Sequence, residues 1–152
     1  MSCSFDPDDW LEPDSLETLL SGDGGRASRF ALVTASWKNN GQTKLIPMIN
    51  CDQRDFDSND RQRLMALALN GRGFESANDV ILGSPWGKLY LRSFLDENGL
   101  RFKPGLKKEQ DVLFNLNAIS RVNHLRRVPR AVYHYRVNEG SVCNRYLPTS
   151  TL

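Results

Sequence analysis

Asp6, Asp8 and Asp9 place three carboxylates within four positions, with Pro7 among them. Like charges this close repel unless something positive sits between them. Pro7 keeps the backbone extended or turned, so Asp6 and Asp8 can face one locus. Hard oxygen donors of this kind suit Mg2+ or Mn2+, particularly an ion that also carries phosphate. The same residues equally make an acidic, solvated lead-in to a helix starting near Asp14, and the segment alone favours that plainer reading. At the other end of the chain, Arg121, Arg126, Arg127, Arg130, Arg136 and Arg145 concentrate positive charge. A basic half can face phosphate of any kind, though any single arginine is more simply a solvated one.

These residues need elements to hold them. Asp14-Ser15-Leu16-Glu17 has capping-box spacing and predicts a short helix through Leu19 and Leu20, ending before Gly22. Phe30 to Trp37 is apolar enough for a largely buried strand. Asn39-Asn40-Gly41 predicts a tight reversal that pairs this strand with Thr43 to Met48, because Asn-Gly tolerates positive φ. Residues 50–57 read as a polar loop. Ser58 to Asn70 reads as a helix with Leu64, Leu67 and Ala68 on one face. A helix is expected over Leu89 to Asn98, carrying Leu91, Phe94 and Leu95. Another is expected over Lys108 to Val122, with Val112, Leu113, Leu116 and Ile119 as its apolar stripe. Leu125 to Val128 and Ala131 to Tyr135 read as two short strands divided by Pro129.

The chain has 152 residues, the length of a single domain, with 146–152 read as a flexible tail. It is 39% hydrophobic and 25% charged, with net charge +2 and mean hydropathy −0.49. This composition argues against disorder, and no apolar run approaches the roughly 18 residues that span a bilayer. The acidic start does not resemble a secretory signal. Cys3, Cys51 and Cys143 are odd in number and lack metal-ligand spacing, which fits a reducing compartment. The expected localisation is cytoplasmic, at most peripheral to the inner face of the membrane.

Four blocks in this order resemble the inverting family-two glycosyltransferases that build bacterial polysaccharides. They are Asp6-Pro7-Asp8-Asp9-Trp10-Leu11-Glu12-Pro13, Pro85-Trp86-Gly87-Lys88-Leu89-Tyr90, Glu109-Gln110-Asp111-Val112-Leu113-Phe114-Asn115, and Tyr133-His134-Tyr135-Arg136 with Gly140-Ser141. Any one is a weak signal, but the ordered set covers essentially the whole chain. The resemblance implies an α/β fold. Specifically, it implies part of a GT-A, Rossmann-like domain, a mixed sheet with flanking helices, lacking the N-terminal nucleotide-binding half.

The resemblance also assigns roles. Asp8 would be the main ligand of Mg2+ or Mn2+, with Asp6 beside the ribose and the metal, and the metal would neutralise charge on a departing nucleoside diphosphate. Asp9 would support the loop, and Trp10 would belong to the core. Asp111, at a helix start that favours its ionised form, would be the catalytic base. Gln110 stands where the family most often has glutamate, and Glu109 lies one position further off. Trp86 and Lys88 would border the sugar or acceptor, the indole against a sugar face. Arg136, His134 and Ser141 would approach the diphosphate. His134 and Arg136 share one side of a strand, and Tyr133 and Tyr135 the other.

The expected function is therefore metal-dependent, inverting transfer of a sugar from a nucleotide-sugar donor to a glycan or lipid-linked acceptor in bacterial surface polysaccharide synthesis. A missing N-terminal half or a second copy of the chain would be the protein partner. The alternative is a non-catalytic remnant or interaction module derived from such an enzyme. A nucleic-acid partner is not expected, because no recognised binding signature accompanies the arginines and the front of the chain is acidic.

Overall fold

The computed structural model describes residues 1–3, 6–21, 30–39, 42–70, 82–106 and 109–136. Two long strands form its spine. β3 (Phe30–Asn39) and β7 (Leu125–Arg136) run parallel, from Phe30↔Leu125 to Lys38↔Arg136. The other strands join antiparallel. β6 (Lys88–Tyr90) pairs the first residues of β3, and β4 (Gln42–Ile46) pairs its last ones. β5 (Asp55–Phe56) lies along the start of β7, and β2 (Trp10–Leu11) lies along its end. β1 (Ser2–Cys3) closes the far side on β6, giving the order β1-β6-β3-β7-β2. The sheet is mixed, with helices against it, as expected.

β7 is continuous where two strands were expected. Pro129 supplies no N–H to the ladder, so the β3–β7 register slips between Val33 and Ala35 and the strand carries on. Side chains of β7 alternate between the two faces of the sheet on both sides of Pro129. Leu125 and Tyr133 join the main core with Phe56, Leu64, Trp86, Phe94, Phe114 and Ile119. Val128 and Val132 join a smaller cluster with Leu19 and Leu89. β6 alternates in the same way: Leu89 goes to the small cluster and Tyr90 to the main core. For this reason Leu89 is in a strand and not in the expected helix, and α3 begins only at Arg92 (Arg92–Glu97).

The remaining helices are α1 (Ser15–Ser21), α2 (Arg61–Asn70, preceded by a 3-10 turn over Ser58–Asp60) and α4 (Gln110–Ile119). Asp57 caps the turn before α2, accepting from the Asn59 N–H, while its own N–H donates to Asp60. The Asp14 carboxylate instead takes Arg130 at 2.7 Å, tying the start of α1 to β7 in place of the expected capping box. The buried face of α4 is Phe114, Asn115, Ala118 and Ile119, rotated away from the expected stripe, and Leu113 is exposed. The rotation admits a polar residue, Asn115, to the interior. The reversal at Asn40-Gly41 and the tail 146–152 lie outside the described residues.

Candidate functional site

Residues Asp6 to Asp9 form a turn closed by the Asp9 N–H donating to the Asp6 carbonyl at 3.1 Å. Pro7 occupies the second position, where its fixed φ suits a turn. β7 pins this turn. The Tyr133 hydroxyl donates to Asp9 Oδ2 at 2.5 Å and accepts from the Asp6 N–H at 3.1 Å. The Arg136 N–H donates to Asp9 Oδ1 at 2.8 Å. Asp9 is thus a buried brace with both oxygens engaged, and Asp6 and exposed Asp8 are the carboxylates the turn presents.

Asp111 occupies the first turn of α4. That turn follows Glu109, which has a left-handed backbone (φ 63°). A buried hydrogen-bond lattice fixes this end of the helix. Asn115, 0% exposed, donates to the Gly83 carbonyl and to the Asp111 carbonyl, each at 2.9 Å, and accepts from the Tyr90 hydroxyl at 2.9 Å. Gly83 has to be small: a Cβ there would lie 2.8 Å from the Ala68 carbonyl oxygen and 3.3 Å from Val112 Cγ2. The loop from Gly83 is thereby pressed onto both α2 and α4.

Electrostatics tie the two carboxylate groups together. Burial lifts the Asp6 carboxyl above its ordinary value, and the charges of Asp9, Asp111 and Asp8 lift it further. Asp111 is also lifted, by burial and then by Glu109, while Lys88 opposes the shift. The shift of Asp111 is thus upward, where its place at a helix start leads one to expect a favoured ionised form. Asp9 is raised by burial against the pull of its two hydrogen bonds. Lys88 is 0% exposed, hydrogen-bonded to the Ser84 carbonyl with Met48 Sδ at 3.8 Å, and burial brings its pKa down to about 7. It is an internal cation coupled to Asp111.

The aromatic residues divide in the opposite way to the sequence expectation. Trp86 is 6% exposed and stacks on Tyr133 (4.8 Å between centroids) and Tyr135 (5.2 Å), so its ring is spent inside the core. Trp10, expected in the core, is 40% exposed. It stacks on His134 at 4.9 Å and 4°, and the Arg136 guanidinium carbon lies 5.5 Å from its centroid. His134 Nε2 is 2.5 Å from Glu12 Oε1. The alternation along β7 holds: His134 and Arg136 meet Trp10, and Tyr133 and Tyr135 meet Trp86.

Asp111 is thus coupled to Asp6, Glu109 and Lys88, and Trp86 packs on the tyrosine that holds the turn, while the side chains of His134 and Arg136 lie on the other side of β7 against Trp10. Ser141 lies outside the described residues. Sequence reasoning passed over Tyr133 and Asn115, although both lie within motif blocks, because only packing shows that they hold the turn and the helix. A cavity of about 390 Å3 opens elsewhere, between β1, β6 and α3, lined by Cys3, Tyr90, Arg92, Phe102 and Phe114 among others. None of the candidate site residues lines it. No helix among the described residues is long and apolar enough to cross a membrane.

Comparison with known proteins gives the fold its name. The structure matches S. aureus TarS 1-349 in complex with UDP-GlcNAc with a TM-score of 0.63, at 19% identity, over 88% of this chain and 34% of that one. The match to a longer S. aureus TarS structure has the same TM-score, at 20% identity over 90% of this chain and 22% of that one. The chain shares its mixed α/β fold with part of TarS. In sequence, the chain is 25% identical over 145 residues to EpsH of Bacillus subtilis (strain 168), which its name assigns provisionally to the glycosyltransferases. That alignment covers 93% of this chain and 39% of EpsH. The chain thus spans about two fifths of EpsH and a third of TarS 1-349. No family model matches.

Proposed function

We propose that the chain is the acceptor-side, C-terminal half of a GT-A glycosyltransferase catalytic domain. In this reading it transfers a hexose-type sugar from a nucleotide-sugar donor to a glycan or lipid-linked acceptor, with inversion, in bacterial surface polysaccharide synthesis at the cytoplasmic side of the membrane. The observation that carries the reading is convergence. Asp6 of the turn and Asp111 of α4, far apart in sequence, are near enough for their charges to raise Asp6, and β7 braces the turn through Asp9.

Asp6 and Asp8 fit Mg2+ or Mn2+. They are hard oxygen donors on one turn, and added positive charge would relieve the repulsion that already lifts Asp6. Among the described residues no group of three or more His, Cys, Asp and Glu side chains could hold a metal. Such an ion would therefore lean on substrate phosphate, the usual habit of Mg2+. Bound there, it would neutralise charge on the departing diphosphate.

In this mechanism Asp111 takes the proton of the acceptor hydroxyl. Its raised pKa strengthens it as a base, and Lys88 beneath keeps the ionised form accessible. Glu109 adds negative potential beside it. His134 and Arg136 stand at the diphosphate side, together with Ser141 if the segment after β7 follows the family pattern. Trp86 and Lys88 support the sugar-binding surface from below.

A non-catalytic module derived from such an enzyme is the second reading, favoured by Trp86, whose ring is stacked on Tyr133 and Tyr135 inside the core and not offered to a sugar. Calorimetric titration of UDP-GlcNAc with Mn2+ tests the first. It is run on this chain and on a form extended by the upstream coding sequence, alongside Asp8→Asn and Asp111→Asn. Metal-dependent binding lost in Asp8→Asn, and transfer lost in Asp111→Asn, are expected. Binding by neither form refutes the catalytic reading.

A further inference from the structure

We infer that the outward face of Trp10 is a stacking platform for a sugar ring of the glycan acceptor; this rests on the glycosyltransferase reading above. Trp10 lies on β2, the last strand of the sheet. Its cross-strand neighbour is His134, and the two rings are parallel within 4°. Among the described residues its ring partners are His134 and Arg136, both from β7 and so both on the inner side. The other face of the indole points past the sheet edge, and 40% of the residue is exposed.

The surroundings select the occupant. A pyranose ring has an apolar face of C–H groups and a rim of hydroxyls, so it asks for a flat aromatic with hydrogen-bonding groups beside it. Trp10 supplies the flat face and an indole N–H donor. Glu12, two residues on, supplies a carboxylate that His134 orients at 2.5 Å, and Arg136 supplies a guanidinium. His134 and Arg136 underneath also hold the ring in place, so little ordering entropy is lost on binding. Trp10 follows Asp8-Asp9 directly, within one short step of the presented carboxylates. Among the described residues no strand lies beyond β2, so a chain can continue past the bound ring. A donor sugar, by contrast, is tethered to its diphosphate at Asp6 and Asp8. The sugar-stacking role expected of buried Trp86 thus moves to Trp10.

The test uses the whole chain and its Trp10→Ala and Trp10→Phe variants on an array of bacterial surface oligosaccharides. The strongest glycan is then titrated while the Trp10 indole N–H resonance is followed. UDP-GlcNAc with Mn2+ is titrated in parallel. Glycan binding by the wild type is expected, weakened about tenfold or more in Trp10→Ala and largely kept in Trp10→Phe. UDP-GlcNAc affinity should fall by much less than glycan affinity, through the loosened His134 and Arg136 alone. The inference is overturned by no glycan binding, by equal glycan binding in Trp10→Ala, or by a loss confined to UDP-GlcNAc. Failure of the wild type to bind UDP-GlcNAc while the glycan arm succeeds counts instead against the catalytic reading and leaves the platform standing.

Discussion

Replacing Asn115 with leucine tests whether the lattice beneath Asp111 stabilises the fold as its geometry requires. Asn115 is wholly buried and makes three side-chain hydrogen bonds. Leucine fits the volume but strips the Tyr90 hydroxyl of its acceptor and the Gly83 carbonyl of its donor. The Asp111 carbonyl keeps its helical partner and counts for little. Two buried polar groups deprived of a partner cost about 1–3 kcal/mol each. Burying the leucine side chain returns about 1.5–3 kcal/mol, leaving a net loss of about 2 kcal/mol. Tyr90→Phe removes only the donor to Asn115 Oδ1 and should cost about 1–2 kcal/mol. In the double variant the hydroxyl and the amide are both gone, so the pair should cost about 1 kcal/mol less than the sum of the singles. Urea unfolding of the four proteins at one pH, with the slope m unchanged, measures all three quantities. A loss under about 0.5 kcal/mol in Asn115→Leu, or strict additivity, refutes the claim that this lattice is a satisfied, coupled unit.

Glu109 adopts a left-handed backbone that a residue with a Cβ pays about 1 kcal/mol to hold. Glu109→Gly should therefore raise the unfolding free energy read from urea titration by up to about that amount, and it should bring the Asp111 carboxyl down, read by 13C NMR titration. Lys88→Met should be more stable than the wild type at or below about pH 7 and should lose that advantage towards pH 10.5. The sign follows from proton counts. Between about 7 and 10.5 the unfolded chain holds a lysine proton that the folded chain has released, so wild-type stability climbs with pH over that window and the methionine variant has no such term. A stability difference flat across pH 7–10.5 would show that Lys88 is not a desolvated cation.

The sequence carried the motif blocks and most of the elements, because apolar runs, turn residues and helix punctuation are local signals. α1, β3 with β4, α2 and α4 follow from them. What it did not carry is which neighbour wins a residue. Leu89 fits a helix by spacing but is taken by the small cluster with Val128 and Val132 on the other face of the sheet. Pro129 reads as a strand break, yet a parallel neighbour absorbs it as a register slip. The two indoles are harder still. Trp10 and Trp86 sit in similar motif contexts, and nothing local says which will be covered. That depends on which side of β7 each meets, and the alternation of Tyr133, His134, Tyr135 and Arg136 decides it. Asn115 was invisible to an apolar-stripe reading because a hydrophobic count cannot foresee a polar residue whose partners lie on β6 and in the Gly83 loop.

The charges of the site point the same way as its geometry. Asp55, on the surface, is lowered by Arg126 and then by His124, so its contribution to stability is present above the ordinary carboxylate value of 3.8 and is lost as pH falls through its folded value. Asp6, Asp9 and Asp111 are the reverse. Each is raised, so each favours the fold most at acid pH and works against it as pH climbs through its folded value. At neutral pH the three together are a cost, part of which Asp9 recovers through two hydrogen bonds. Lys88 relieves Asp111 but is itself made weak by burial. Side chains tuned only for stability would be apolar or paired here, as at Asp55. A group of carboxylates held against their own repulsion by a tyrosine hydroxyl, a backbone amide and a proline turn is the arrangement that the proposed cation site and base would require.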